Sequence, residues 1–179
     1  HDSLRLTAAL GAKTMLLCTY IKSAPDTPEK KSNLMKVIRD AQPLAGELGV
    51  AIALESPLPA SELAEFVDAL DSDVVGVYYD FGNAVYLGFD PLEEIPVLGS
   101  RIISVHVKDS LNNLGDSHLG KGRVDLDASM KALAAIGYDG WLVIETPGGD
   151  EADRGAEDRA GEETFHEGLL LDVFRGMVI

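Results

Sequence analysis

The 179 residues are 46% hydrophobic and 25% charged, with a formal net charge of −15. This reads as one soluble globular domain with a sizeable core, and the acidity argues against nucleic acid, whose phosphates are bound by Lys/Arg neutralisation. No apolar run reaches the ~18–20 residues of a membrane span, and the lone Cys18 can form no internal disulfide, so no membrane partner and a reducing, cytoplasmic setting are expected.

Five strand-like segments alternate with helical patterns. Residues 4–12 (LRLTAALGA) read as helical and feed the first strand segment, 14–20 (TMLLCTY). Thr27, Pro28 and Glu29 then start a helix that stops at Gly49, with Leu34, Val37, Ile38, Ala41, Leu44, Ala45 and Leu48 at helical spacing. Pro43 inside it predicts a kink or a break near Gln42. The second strand segment is 50–56 (VAIALES), followed by a helix over 61–70, and the third is 74–81 (VVGVYYDF). Asp90 and Pro91 open a short helix over 90–98. The fourth segment is 102–109 (IISVHVKD), then come a long loop, a helix over 127–137, the fifth segment 141–147 (WLVIETP), an acidic loop over 146–163 and a closing helix over 163–178. Strand–helix alternation with short links predicts parallel strands with right-handed crossovers.

Alternation along each strand separates two faces. Ile52 and Leu54 oppose Ala53 and Glu55; Val75, Val77 and Tyr79 oppose Gly76, Tyr78 and Asp80. Ile103, Val105 and Val107 oppose Ser104, His106 and Lys108, while Leu142 and Ile144 oppose Trp141, Val143 and Glu145. One face is apolar and suits packing on helices. The other ends in Glu55, Asp80, His106 and Glu145 on four consecutive strands. A single strand-end carboxylate is usually a cap or an ion-pair partner, but four such groups of one parity point to a divalent-metal site. Three carboxylates would repel one another in a cavity without a cation. The donor set is mostly oxygen with one imidazole, which suits Mn²⁺ first, with Mg²⁺, Co²⁺ and Zn²⁺ as alternatives.

These residues resemble the sugar isomerase/epimerase superfamily with the xylose-isomerase-like (β/α)8 TIM barrel. The likeness rests on VYYDFGNAVYLGFDP, RIISVHVKDS, HLGKGRVDLDASMKAL and GYDGWLVIETP, the middle two carrying a His-x-Lys-Asp strand end and a Leu-Gly-x-Gly loop. It implies a single α/β domain over residues 1–179 in which about five β/α units, strands four to eight of the barrel, are present. Strands one to three have no counterpart, so a truncated chain is expected, or a second copy or another chain closing the sheet. The resemblance further implies one metal ion on Glu55, Asp80, His106 and Glu145, with the two glutamates as proton acceptor and donor.

The implied activity is isomerisation or epimerisation of a small sugar or polyol ketone through an enediolate. A dehydratase of the inosose or dehydroshikimate type is the runner-up, because it shares the enolisation step. A sugar-binding relic without catalysis is the reading from another class. The DNA-repair endonucleases of the superfamily fit poorly, since they need more histidines than four and a basic face. Lys108, Asn83, His118 and Arg123 are the expected substrate contacts, Lys108 equally as an ion-pair partner and Arg123 more often as a surface residue. Asn83 stands where several family epimerases carry a histidine, which removes a proton relay. Asp109 reads as a loop-ordering acceptor, Tyr78 and Trp141 as barrel-interior residues, His166 as structural or solvated, and Cys18 as a small buried hydrophobe.

Overall fold

The computed structural model describes residues 1–146. The expected acidic loop over 146–163, the closing helix and His166 therefore lie, apart from Thr146, outside the described residues. Within them, five parallel strands form one sheet in sequential order: β1 (Thr14–Cys18), β2 (Ala51–Glu55), β3 (Val75–Asp80), β4 (Ile102–Val107) and β5 (Trp141–Ile144). This is an α/β half-barrel of the expected kind, an arc of a TIM barrel.

Helices α1 (Asp2–Ala9), α2 (Pro28–Leu48), α3 (Ala60–Asp68), α4 (Phe81–Leu87), α5 (Pro91–Leu98) and α6 (Leu126–Ala135) link and flank the strands. The Thr27 side chain accepts the Lys30 N–H at 3.2 Å, and Gly49 closes α2 in the left-handed region at φ 61°. The expected break at Pro43 does not occur: α2 runs unbroken through it to Leu48. One missing N–H in a helix of 21 residues is outweighed by the burial of Ile38 and Ala45 against the sheet.

The core lies between sheet and helices. Ile52, Leu54, Val77, Val105, Phe81, Ile95, Leu98 and Leu133 are all buried in one cluster. Parity holds for β2 and β3 but slips in β4. Val77 pairs with Ile102 and Tyr78 with Ser104, so the register skips Ile103. Ile102 enters the core instead, while Ile103 lies over Gly76, where a Cβ would come within 2.7 Å of its Cγ2. A glycine in β3 makes room for this bulge. Beyond it Asp80 pairs with His106, so the bulge sets the two polar strand ends side by side.

Candidate metal centre

Glu55 ends β2, Asp80 ends β3 and His106 lies on β4 one residue before its end. Each is at most 9% exposed, and one ligand atom from each lies within 4.8 Å of the others. Glu145 follows β5, with its N–H bonded to Val107 O at 3.1 Å, and its side chain is 45% exposed. His106 Nδ1 sits 3.3 Å from Glu145 Oε2, 3.5 Å from Asp80 Oδ2 and 3.7 Å from Glu55 Oε1. The three strand-end carboxylates all converge on that nitrogen.

These separations are longer than good hydrogen bonds. His106 Nδ1 and Asp80 Oδ2 are buried and have no hydrogen-bond partner among the described residues. A buried charged or polar atom without a partner is costly, and a cation shared by both would remove the cost. Three oxygens and one imidazole nitrogen are a fitting donor set for a hard or borderline divalent ion. Burial, the largest single influence on His106, works to lower its pKa, but Asp80 and Glu55 outweigh it and push the imidazole up to about 9. In the metal-free chain a proton on His106 thus partly neutralises the carboxylates.

Asn83 fixes two of these groups. Its side-chain amide donates to Glu55 Oε1 at 2.8 Å, and its backbone N–H donates to Asp80 Oδ1 at 2.8 Å. The second bond makes Asp80 the N-cap of α4, an element with no counterpart among the sequence expectations. Asp80 therefore uses one oxygen to start a helix and turns the other into the site. Tyr78 covers the imidazole, its ring centroid 4.3 Å from that of His106.

Lys108 is only 8% exposed and donates to Glu145 Oε1 at 2.7 Å, with Asp80 Oδ2 at 3.6 Å. The ion-pair role weighed for it is the one observed. Burial works against its charge, yet Glu145 and Asp80 hold its pKa above the usual lysine value. His118 is half-buried in the loop after β4. Arg123 is exposed, and its guanidinium donates to Val85 O at 3.3 Å.

The loop itself is ordered by Asp109, which is fully buried. Its Oδ1 accepts the N–H of Ser110 and Val124, and its Oδ2 accepts those of Gly120 at 3.0 Å and Gly122 at 2.8 Å. This gives the Leu-Gly-x-Gly pattern a physical reason: a Cβ at Gly122 would overlap the Asp109 carboxylate, and Gly120 has φ +76°. Two expectations need correction. Cys18 is exposed rather than buried, because among the described residues β1 is an edge strand and nothing covers its inner face, where Leu16 is 42% exposed. Trp141 has the inner parity but is 57% exposed on β5, the opposite edge of the sheet among the described residues.

The family model described as a xylose isomerase-like TIM barrel matches residues 1–165. The chain belongs to this family. A crystal structure of a xylose isomerase domain protein from Planctomyces limnophilus superposes with a TM-score of 0.75 at 26% identity, covering 95% of this chain and 64% of that one. A structure of L-ribulose 3-epimerase shares the fold with a TM-score of 0.72 at 21% identity, covering 89% of this chain and 57% of the other. Inosose dehydratase from Clostridium botulinum (strain Eklund 17B / Type B) is 30% identical over 102 residues, which are 47% of this chain and 34% of that protein. The chain spans between a third and a half of the length of the first curated relatives it matches. A sugar epimerase thus shares its fold, and inosose dehydratases are among the curated relatives it matches.

Proposed function

We propose that the chain carries the catalytic strand ends of a metal-dependent isomerase or epimerase acting on a small sugar or polyol ketone. The observation that carries this reading is the convergence of Glu55, Asp80 and Glu145 on His106 Nδ1 at 3.3–3.7 Å, with two of the atoms buried and unpartnered. Glu55, Asp80, His106 and Glu145 would hold one ion, Mn²⁺ by preference. When bound, the cation supplies Lewis-acid polarisation of the substrate's carbonyl and neighbouring hydroxyl.

Glu55 takes the proton from the carbon next to the carbonyl, leaving an enediolate, and Glu145 returns a proton from the opposite face. Asn83 holds Glu55 at one oxygen and so fixes the orientation of that base. The half-exposed Glu145 side chain at the edge of the site supports exchange of its proton with solvent. Dehydration is the second reading, favoured by the relatives named as inosose dehydratases. It differs only after enolisation, when a β-hydroxyl leaves instead of a proton arriving.

Incubation with Mn²⁺ and a ketohexose such as D-fructose in D₂O tests the shared first step. Deuterium should enter at the carbon beside the carbonyl, and Glu145→Gln should slow turnover by roughly 10²–10⁴-fold, the usual range for loss of a general acid. An ultraviolet band from a conjugated product, formed from an inosose, would select dehydration. Full turnover in Glu145→Gln would sink the assigned proton transfer. A chain that takes up no Mn²⁺ would leave the sugar-binding relic as the better reading.

A further inference from the structure

Lys108 follows β4 directly and shares the parity of His106, so its side chain enters the charged face of the sheet rather than the core. Its path is built in. A Cβ at Gly82 would come within 2.8 Å of Lys108 Cγ, and a Cβ at Gly115 would overlap Lys108 Cε. Two glycines, one opening α4 and one in the loop after β4, thus form the walls of a channel that fits the lysine stem. Lysine normally keeps its ammonium in water while burying its stem. Here the ammonium is led inward instead, to Glu145 Oε1 at 2.7 Å and Asp80 Oδ2 at 3.6 Å.

We propose that Lys108 is a built-in counter-cation of the metal centre: it holds the carboxylates together in the metal-free chain and lowers the affinity for the incoming ion. The inference rests on the metal-site reading above. With His106 neutral, as metal ligation requires, three ionised carboxylates carry a formal −3 and Lys108 leaves −2, which one divalent cation cancels. Without the lysine, the approaching ion meets a more negative site and no fixed positive charge a few ångströms away. Like charges at that distance repel even at an effective dielectric near 20. Lys108 also touches only one oxygen of Glu145, while Oε2 is the atom turned toward His106. The ammonium can therefore stay in place when the ion binds, and its repulsion persists in the loaded state.

The test is Mn²⁺ titration by calorimetry on the purified chain, together with thermal melting in chelator, for the native protein, Lys108→Met and Lys108→Arg. Lys108→Met keeps the stem and removes the charge. It should bind Mn²⁺ about tenfold more tightly and melt at a lower temperature in chelator, so that Mn²⁺ raises its melting point by more than in the native chain. Lys108→Gln serves the same purpose if the Met variant does not fold. Lys108→Arg keeps the charge and should show no such tightening. Unchanged or weaker Mn²⁺ binding in a folded Lys108→Met or Lys108→Gln variant overturns the counter-cation role, since a purely structural staple would give that result. Absence of saturable binding in the native chain overturns the metal reading itself, and this role falls with it.

Discussion

Two buried carboxylate clusters are reached from opposite faces of β3, and they are finished differently. On the helix side, Glu94 of α5 accepts the Ala60 N–H at the start of α3 through Oε1 at 2.9 Å and the Tyr79 hydroxyl through Oε2 at 2.9 Å. Both oxygens are satisfied, and the group staples α5, α3 and β3 together. On the inner side, Asp80 gives Oδ1 to the N-terminus of α4 but leaves Oδ2 buried without a hydrogen bond, next to an equally unpartnered His106 Nδ1. Burial is common to both clusters. What separates a structural carboxylate from a candidate ligand is whether its hydrogen-bonding capacity is used up inside the fold.

Removing one charge from each cluster should break them in opposite ways. Asp80→Asn can still accept the Asn83 N–H, so the metal-free fold should survive, and loss of a like charge offsets part of any cost. Its Mn²⁺ affinity should drop by about a hundredfold or more, at or beyond the loss seen when only a supporting residue of a metal site is removed. Calorimetry on the two proteins decides it, and equal affinities would remove Asp80 from the site. Glu94→Ala should do the reverse. Two buried donors lose their acceptor, which destabilises the fold by about 3 kcal/mol, while Mn²⁺ binding by the folded fraction stays as it was. A denaturant titration measures the first effect. Weakened metal binding in a folded Glu94→Ala protein would show the two clusters to be one.

A smaller effect follows from His106. Its pKa rises from 6.5 to about 9 on folding, so the protonated imidazole stabilises the metal-free chain fully below pH 6.5 and progressively less as pH climbs through about 9. In chelator the melting temperature should fall over that window, and His106→Gln should flatten the fall. With Mn²⁺ present the trend should reverse, because only the neutral ring can bind a metal. A melting temperature in chelator that does not depend on pH across this window would contradict the carboxylate contacts of His106.

Much of the inner cluster is legible in the sequence, and Glu94 is not. Alternation along a strand carries over directly to a sheet face, so Glu55, Asp80 and His106 declare themselves by parity, and Asp109 by falling on the other side. Glu94 sits beside Glu93 in a short helix with no pattern to mark which of them turns inward, and only the packing of α5 against α3 decides it. Helix α4 is missed because Phe81, Gly82, Asn83 and Ala84 are all buried, which leaves no polar face to give a helical period. Asp80 as a cap, with Gly88 closing at φ 88°, was its available signal. The bulge at Ile103 depends on the missing side chain of Gly76, one strand away and far off in sequence. The exposure of Cys18 and Trp141 follows from edge positions, which strand patterning alone does not reveal.

Arg123 marks the outer limit of the comparison. It belongs to the same loop that Asp109 orders, and its own N–H bonds to Ser110 O at 3.0 Å, so its backbone is fixed beside the site. Its side chain, however, is exposed and spends a guanidinium N–H on Val85 O near the end of α4. An exposed hydrogen bond of this kind is replaced by water when it is lost. Arg123→Ala should therefore change stability by no more than about 0.5 kcal/mol and leave Mn²⁺ affinity untouched. Steady-state kinetics on the same variant then isolate a substrate role from a surface role. An unchanged KM leaves Arg123 on the surface, whereas a raised KM with intact metal binding would mean that the guanidinium leaves Val85 to meet the substrate, extending the inner cluster outward along the loop.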